Sequence, residues 1–443
     1  MASTRIYRTS GTPTNRKKFT ISCWLKKSKL SDDMQIVNFY EDASNRTQFS
    51  FNSSDQFDFI VKSGNTNTMR LKTTRVFRDP SAWYHIVMTV DTTQATNTDR
   101  LKVYINGEQN LSANNGFASE TYPSQNADAT VGGTHNIGAY DNGGSPTLYW
   151  DGLLAHLHYT DGYAYAASDF GETDSTSGIW KPKTAPSVTY GTNGFFLKFE
   201  NSNNLDLDSS GNNLSFTTSG TLTQNVDTPS NNFATMNPLV FSTLIGYTNG
   251  NLTCTNTSST HRSVLSTLAV SSGKWYWEGK SVSTGAAYPT FGIFNADATF
   301  DSGTYFTATA NGYGYNSEGN IFHNNTNHVT GLASWTDGDI IGVALDATNN
   351  KIYFSKNGSW QNSGDPSNNT GGTSITADTT WFFAGHMKDG GTDPVQSYNF
   401  GSGFFGTTAV ASANADANGH GKMEYTVPTG FYTLCTKNIK EFG

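Results

Sequence analysis

The sequence predicts an all-β chain made of two tandem antiparallel β-sandwiches, and three observations support this. Charged residues make up only 14% of the 443 residues while aromatic residues make up 13%. Asn, Thr, Ser and Gly supply most of the remaining polar positions, and these are residues of turns and strand surfaces. Short apolar or alternating runs recur at intervals of about 8–12 residues, which is typical of a sandwich or barrel. Helical periodicity is almost absent.

The alternating runs predict strands throughout the chain. In the first half they predict strands at 19–25, 36–40, 48–52, 57–62, 69–72, 83–91, 101–106, 134–139, 148–159 and 194–199. In the second half they predict strands at 239–241, 251–254, 274–282, 289–294, 313–315, 340–346, 351–356, 380–386 and 395–400.

Two predicted hairpins share one pattern, in which a strand ends in Asp, a polar loop follows, and the second strand ends in Asn-Gly. The first covers 83–107 and ends at Asn106-Gly107, and the second covers 338–358 and ends at Asn357-Gly358. Asn-Gly favours the left-handed turns that reverse a strand tightly. The repetition indicates two related sandwiches, although any antiparallel protein contains hairpins of this general kind.

Prolines mark the predicted boundary between the sandwiches. Pro229 and Pro238 lie in a polar stretch and interrupt the strand pattern. We therefore expect a first domain at 1–227, a linker at 228–238 and a second domain at 239–406. The remainder, 407–443, combines a flexible Ala/Asn/Gly-rich stretch with an apolar segment that should dock as a final strand.

Charge and cysteine content limit the partners and the compartment. The formal net charge is −8, and basic residues cluster no further than 16–18 and 26–27, so we expect neither nucleic-acid nor anionic-membrane binding. Cys23, Cys254 and Cys435 are far apart and should be buried free thiols. Residues 1–20 have no apolar segment typical of a signal peptide, and no run of 18 apolar residues occurs. These features predict a protein made in a reducing cytoplasm and released by lysis or assembly.

No catalytic motif is found, and the chain is predicted not to be an enzyme. Retaining glucanases of the concanavalin type need two carboxylates about 5 Å apart, commonly in a Glu-x-Asp-x-x-Glu strand, and this spacing does not occur. Glu278 lies in a strand and is interpreted as structural. His156 and His158 alternate on one strand and offer two metal ligands, with a metal-free pair as the favoured alternative.

Aromatic residues in loops are the candidate ligand contacts. Carbohydrate binding needs an exposed aromatic face beside amide or carboxylate groups, and five loop aromatics have such neighbours. An alternative is that each contacts a neighbouring subunit. The predicted ligand-binding residues are Tyr140, Tyr163, Tyr288, Tyr305 and Trp360.

Two family resemblances rest on specific segments. Residues 15–200 resemble a laminin-G/concanavalin-A-like jelly roll through segments 19–26, 83–87, 103–107 and 149–155. Residues 239–401 resemble a SPRY domain, itself a bent β-sandwich. The segments that carry this second resemblance are Gly-Lys-Trp-Tyr-Trp-Glu at 273–278, Gly-Tyr-Gly-Tyr at 312–315, and 338–346 together with 354–358.

The order of these parts resembles virion proteins of tailed phages, especially marine ones. The resemblance implies a non-enzymatic virion surface protein of the tail-fibre or receptor-binding type. Such a protein would attach to a host glycan or surface protein through loop rims, and would form a homo-oligomer with other virion proteins as partners. The alternative is a purely structural head-decoration or fibre subunit.

Calcium is the one cofactor that the laminin-G resemblance suggests, since such sandwiches often hold it at the rim with oxygen ligands. The candidate ligands are Asp206 and Asp208, which alternate before a Gly turn, and Asp141 in Asp-Asn-Gly-Gly. The alternative is that these carboxylates close loops through Asx-turns.

Overall fold

The computed structural model describes residues 3–240, 244–283, 288–300, 303–388 and 391–443. The chain divides into two compact units, Met1–Gln224 and Asn225–Gly443. Strands dominate both units. Within the described residues, the longest helix has seven residues, and none is long and apolar enough to cross a membrane. The helical segments are α1 (Ala167–Phe170), α2 (Thr436–Phe442) and the 3₁₀ turns Asn97–Asp99, Ser112–Asn114, Phe306–Ala308 and Pro366–Asn368.

The first unit is a sandwich of two antiparallel sheets. Its strands are β1 (Arg5–Thr9), β2 (Lys18–Lys27), β3 (Met34–Asp42), β4 (Asn45–Phe51), β5 (Gln56–Ser63), β6 (Thr66–Val76), β7 (Tyr84–Asp91), β8 (Leu101–Ile105), β9 (Glu108–Asn110), β10 (Phe117–Thr121), β11 (Thr134–Ile137), β12 (Gly152–Asp161), β13 (Gly171–Thr173), β14 (Trp180–Pro182), β15 (Phe195–Leu197) and β16 (Thr217–Ser219). One sheet has the order β10-β6-β5-β4-β3-β11-β1-β16 and the other β15-β12-β2-β7-β8-β9, while β13 and β14 form a separate hairpin.

The core of the first unit follows from strand alternation. In β2, Phe19, Ile21, Cys23 and Leu25 all face the other sheet and are fully buried, because successive side chains of a strand point to opposite faces. Phenylalanines from β3, β4 and β5 fill the opposite side of this layer. The sandwich buries its apolar area between the sheets, so its loops collect at the rims.

The second unit is also a two-sheet sandwich. Its strands are β17 (Ile245–Thr248), β18 (Thr253–Asn256), β19 (His261–Val270), β20 (Lys274–Ser283), β21 (Thr290–Asn295), β22 (Gly312–Asn316), β23 (Asn320–His323), β24 (Thr326–Val329), β25 (Ile340–Asp346), β26 (Lys351–Lys356), β27 (Ser359–Trp360), β28 (Thr373–Ser374), β29 (Trp381–Lys388), β30 (Val395–Asn399), β31 (Phe404–Phe405), β32 (Thr408–Ala409) and β33 (Tyr432–Thr433). One sheet has the order β17-β18-β30-β20-β25-β26-β27, with β28 on β26 and β33 on β20, and the other β19-β29-β21-β22-β23-β24.

Four tryptophans occupy the core of the second unit. Trp275, Trp277, Trp335 and Trp381 are at most 2% exposed. Trp277 stacks on Tyr398, which belongs to β30, and on Phe400, which directly follows that strand. All three cysteines are free and buried, as predicted.

Both predicted Asn-Gly hairpins are confirmed and have the same detailed structure. Strand β7 pairs with β8, and β25 pairs with β26. Asn106 and Asn357 adopt φ values of 50° and 47°. Each side-chain oxygen accepts the backbone N–H of the strand residue opposite, His85 or Ile340, at 2.8 Å. The two units therefore share this element in hydrogen bonding as well as in sequence.

Two predictions around the domain boundary differ from the structure. Residues 239 and 240 form a turn and a bend rather than a strand, and residue 241 lies outside the described residues. The segment 228–238 was expected to be a linker, but Phe233, Ala234 and Met236 are buried in the second unit. Burial of these apolar side chains is favourable, so the segment forms part of the second unit and is not a free linker.

The C-terminal region is anchored rather than flexible. As predicted, it supplies a final strand, β33, which pairs in parallel with Trp275 and Tyr276 of β20. A helix, α2, then follows, which the sequence pattern did not predict. Asp416, in the stretch expected to be flexible, accepts hydrogen bonds from the Thr433 backbone N–H at 2.9 Å and from the Asn438 amide at 2.7 Å.

Glu278 on β20 holds the same region through a fully buried carboxylate. Its two oxygens accept the backbone N–H groups of Glu424 and Tyr425, both at 2.8 Å. They also accept the Tyr276 hydroxyl at 3.1 Å and the Asn399 amide at 3.3 Å. Burial raises the pKa of Glu278 to about 7 despite these donors. The structural interpretation of Glu278 thus has a physical basis, since the residue fastens segment 424–425 to the sheet.

We predict that Glu278 makes the second unit less stable as pH rises from about 4.5 to 7. In this range the folded state keeps a proton that the unfolded state releases, so the free energy of unfolding falls with pH, by about 3 kcal/mol in total. Urea denaturation at a series of pH values measures this. Glu278→Gln should be less stable at low pH, because its NH₂ cannot accept a hydrogen bond, and should lack this pH-dependent loss. Equal slopes for both proteins would contradict the prediction.

Candidate functional site

Two of the predicted ligand-binding residues, Tyr288 and Tyr305, both contact His386 in the second unit, Tyr288 through its backbone carbonyl and Tyr305 through its ring. We define the histidine–tyrosine patch as His261, Tyr288, Tyr305, Phe322 and His386. The pairing of β19 with β29 places His261 near His386, with Ser263 directly opposite His386. Tyr288 lies just before β21, and Tyr305 just before the turn Phe306–Ala308. The patch therefore combines two adjacent strands with two loop segments.

Hydrogen bonds in the patch fix the histidine tautomers. His386 Nδ1 lies 3.3 Å from the Tyr288 carbonyl oxygen, which can only accept, so Nδ1 carries the proton. The other nitrogen of His386, Nε2, is then an acceptor, and it lies 2.9 Å from His261 Nδ1. His261 Nδ1 therefore donates, which leaves His261 Nε2 as an acceptor. A partially exposed acceptor of this kind suits a ligand hydroxyl or amide N–H.

Aromatic rings surround this acceptor. The Tyr305 ring packs edge-on against His261 at 4.9 Å, His386 at 5.7 Å and Phe322 at 5.9 Å. Its hydroxyl donates to Asn325 Oδ1 at 2.8 Å, and this bond leaves the Asn325 NH₂ as a donor. Tyr288 is 48% exposed and adopts a φ of 64°, a conformation that non-glycine residues seldom take. The patch offers ring faces, an acceptor and a donor.

The two histidines of the patch are uncharged at neutral pH. His386 is 1% exposed, and burial, followed by the nearby His261, lowers its pKa to about 3. Burial, followed by the charge of Lys388, lowers the pKa of His261, and Lys388 lies directly opposite His261 in the pairing of β19 with β29. Because neither ring is charged, the hydrogen-bond directions described above persist under physiological conditions.

The other predicted aromatics lie elsewhere. Trp360 is on β27, in the opposite sheet of the second unit, and is partly buried against Tyr276 at a ring distance of 6.3 Å. In the first unit, Tyr140 is half-buried with the Arg46 guanidinium 5.7 Å from its ring centre. Tyr163 is 38% exposed and lines an open cleft together with Ser210 and Asn212. The structure thus brings Tyr163 next to the loop that follows Asp208.

The aspartates predicted to bind calcium are already engaged. Asp208 accepts the backbone N–H groups of Phe196, Ser210 and Leu214 at 2.9–3.0 Å. Asp141 pairs with Arg5 and accepts the N–H groups of Gly143 and Gly144. Asp206 accepts the Thr218 hydroxyl at 2.8 Å.

Asp141 and Asp208 do not fit a calcium ion, because their oxygens close loops, as in the Asx-turn alternative. Asp206 differs, since the Thr218 hydroxyl bonds to its Oδ2 alone. In the part of the chain that the structure describes, no three or more His, Cys, Asp or Glu residues converge as a metal-binding group. Calcium binding at Asp206 stays a prediction.

Comparison with known families assigns both units. Residues 3–168 match Laminin_G_3, of the concanavalin A-like lectin/glucanases superfamily, and residues 274–368 match the SPRY domain. The chain contains a laminin-G-type domain followed by a SPRY domain. The two domain resemblances inferred from the sequence are thereby confirmed, and domains of these kinds typically bind proteins or glycans.

The chain is similar to two solved structures at a low level. The SPRY domain of human HERC1 is 20% identical, with 37% of this chain and 96% of that chain covered and a TM-score of 0.31. The native heptameric SAP-like pentraxin from Limulus polyphemus is 14% identical, with coverages of 49% and 95% and a TM-score of 0.29. Likeness at this level says nothing about ligands. No curated protein matches the chain.

Sequence reasoning missed the two histidines of the histidine–tyrosine patch. His386 was assigned to a strand, but its neighbour His261 belongs to β19, which was not predicted. The sequence pattern at 381–387 could have identified His386. Trp381, Phe383 and Met387 belong to the main core, whereas Phe382, Ala384 and His386 point to the opposite face of the strand. That alternation marks His386 as facing away from the main core.

His156 and His158 of the laminin-G-type domain are packing residues. A bulge between Ala155 and His158 places His156 at a φ of 46°, with 6.4 Å between the two ring centres. His158 stacks on Phe196 at 3.9 Å, and its Nδ1 lies 2.9 Å from the Tyr190 hydroxyl. Burial lowers the pKa of His156 to about 4 and that of His158 well below its usual range.

We predict that the buried histidines make the laminin-G-type domain acid-sensitive. Burial lowers the pKa values of His85 and His135 to about 3. Unfolded histidines bind protons near pH 6.5, so below that pH each such residue should reduce the free energy of unfolding by about 1.4 kcal/mol per pH unit. NMR should show that the imidazole resonances of His85 and His135 do not titrate between pH 7.5 and 5. The same protein unfolded in urea serves as the control, and folded-state midpoints near 6.5 would refute the prediction.

Proposed function

We propose that the chain is a non-enzymatic surface protein of a tailed-phage virion that attaches to a host glycan or surface protein through the loop rims of its domains. The observation that carries this proposal is the histidine–tyrosine patch of the SPRY domain. There, the Tyr305 ring packs on His261 and His386 and its hydroxyl bonds to Asn325, while His261 Nε2 remains as an acceptor. The virion context rests on the resemblance in domain order.

The chemistry of the patch supports binding to hydroxyl or amide groups. Sugars and peptide backbones both present such groups next to C–H surfaces, which pack on aromatic faces. Lys388, directly opposite His261, adds a positive charge beside the two neutral histidines. Hydrogen-bond geometry and this charge would therefore both select the ligand.

The environment of Glu278 supports the non-enzymatic part of the proposal. Its carboxylate is fully buried and accepts four hydrogen bonds from the chain, so it lacks the access that an acid or base catalyst needs. We further propose that the protein resides on the virion as a homo-oligomer and contacts other virion proteins, without binding nucleic acid or inserting into a membrane.

The test is retention of the purified, fluorescently labelled chain by cells from a panel of marine bacterial strains. Tyr305→Ala should weaken binding at least tenfold, about 1.4 kcal/mol, because it removes the ring that packs on both histidines and releases Asn325. Tyr425→Ala, at a residue that lies against Gly358 beside the opposite sheet of the same domain, is the matched control and should bind like the unmodified chain.

Two results would count against the proposal. Equal loss of binding in the Tyr305 and Tyr425 variants would point to general damage of the SPRY domain rather than to the patch. Retention by no strain, together with assembly of the folded chain into a defined oligomer, would favour the structural head-decoration or fibre subunit instead.

A further inference from the structure

The hairpin formed by β23 and β24 carries two histidines that contact each other at an edge of the second unit. His323 is the last residue of β23, and His328 lies in β24, the outermost strand of its sheet. Their ring centres are 5.8 Å apart, with an interplanar angle of 80°. His323 is half-buried and His328 is exposed. Neither residue belongs to the histidine–tyrosine patch.

A β-bulge brings His328 to His323. The residues on either side of His328 pair with two consecutive residues of β23, so His328 is an extra residue without a partner in the ladder. Bulges of this kind bend a strand and change the direction of a side chain. The residue directly opposite His323 is Thr326, so the contact between the two histidine rings depends on the bulge and not on regular pairing.

The ring of His323 is held in one orientation and one tautomer. It lies parallel to the Tyr313 ring, with 3.9 Å between the ring centres and an interplanar angle of 6°. Its Nδ1 is 3.0 Å from the Gly312 carbonyl oxygen, which can only accept, so Nδ1 carries the proton and Nε2 keeps a lone pair. Histidines that bind metals commonly donate their other ring N–H to a backbone carbonyl, because this bond fixes the ring and makes the ligand nitrogen more basic.

The turn between the two strands is fixed as well. Asn324 and Asn325 adopt φ values of 49° and 57°, which is typical of a tight hairpin turn. Their backbone N–H groups donate to the carbonyls of Thr309 and Thr307, both at 3.1 Å. The two strands therefore leave the turn at a defined separation, and the positions of both histidines are set before any ligand binds.

The separation of the two rings suits one shared metal ion. Two imidazoles that bind the same ion through bonds of about 2.1 Å, at near-tetrahedral angles, have ring centres about 5–6 Å apart. The observed 5.8 Å lies in that range. The histidine–tyrosine patch differs, because His261 Nδ1 and His386 Nε2 are hydrogen-bonded to each other at 2.9 Å and a lone pair that a metal would need is already used.

We propose that His323 and His328 chelate one divalent transition-metal ion, of the class of Cu²⁺, Ni²⁺ and Zn²⁺, at this edge of the SPRY domain. Imidazole nitrogens are favoured ligands of these ions, whereas Ca²⁺ and Mg²⁺ prefer oxygen. Water completes the coordination, because the described residues place no third His, Cys, Asp or Glu beside the pair. The ion joins β23 to β24 and stabilises the hairpin. The inference is independent of the proposed attachment function.

The experiment is isothermal titration calorimetry of the full, metal-free chain with Zn²⁺, Ni²⁺ and Cu²⁺ in turn. We expect one ion per chain at the tightest site, with Cu²⁺ bound most tightly and Ca²⁺ not bound there. His328→Ala should weaken binding at least about tenfold, because the second imidazole of a chelate binds intramolecularly. His323→Phe, which keeps a ring against Tyr313, should have the same effect.

The matched control is His420→Ala, at a half-buried histidine elsewhere in the same unit, and it should bind like the unmodified chain. The melting temperature of the second unit is a second readout. Zn²⁺ should raise it in the unmodified chain and in His420→Ala but not in His328→Ala, because only the folded hairpin holds both ligands together. Lowering the pH should weaken binding, since protons compete with the metal for the imidazoles.

Three results would overturn the inference. The first is no binding of these ions by the folded chain, and the second is binding that His328→Ala leaves unchanged. The third is an equal loss of binding in His420→Ala, which would indicate an adventitious complex with scattered histidines only. Because His328 is exposed, the metal-free His328→Ala variant should unfold at the same temperature as the parent, so a loss of binding is distinguished from a loss of fold.

Discussion

Burial of one face of nearly every strand between two sheets is the constraint on which both units depend. Most large apolar side chains are buried in these cores, including Phe19 and Phe59 in the first unit and Trp275 and Trp277 in the second. What remains for a ligand is the set of loops at the rims and the outer faces of the sheets. The histidine–tyrosine patch follows this division, since it joins two adjacent strands to loop segments.

Hydrogen bonds from side chains to the backbone organise those loops. Asp141, Asp208 and Asp416 each accept several N–H groups from the turns they close, and Asn106, Asn212 and Asn357 brace turns through their amides. This use of side chains is consistent with the abundance of Asn, Thr and Ser. It also explains why Asp141 and Asp208, which match a calcium pattern in the sequence, use both carboxylate oxygens within the fold, because a loop closed by Asp needs those oxygens itself.

Alternation predicted the regular strands well and failed where the period breaks. Strands β2, β5, β20 and β25 were expected close to their observed positions. Strand β19 was missed because a bulge between Leu265 and Ala269 interrupts its period, and β1 was missed because only Ile6 of its five residues is fully buried. These misses matter for function, because without β19 the sequence offers no partner for His386. The approach of Tyr305 to His386, or of Tyr163 to Asn212, depends on sheet order and loop packing, which residue spacing does not encode.

The protonation state of the histidines bears on how attachment would operate. The histidine–tyrosine patch depends on the neutral state of His261 and His386, whose protonation would replace an acceptor by a donor and reverse the hydrogen bonds it offers. An open surface site of this kind buries little of a ligand and binds weakly on its own. Weak sites suffice when many copies act together, because each further contact is then intramolecular. A virion that displays many copies of this chain would supply that multiplicity, which is why shallow rims are compatible with firm attachment to a cell.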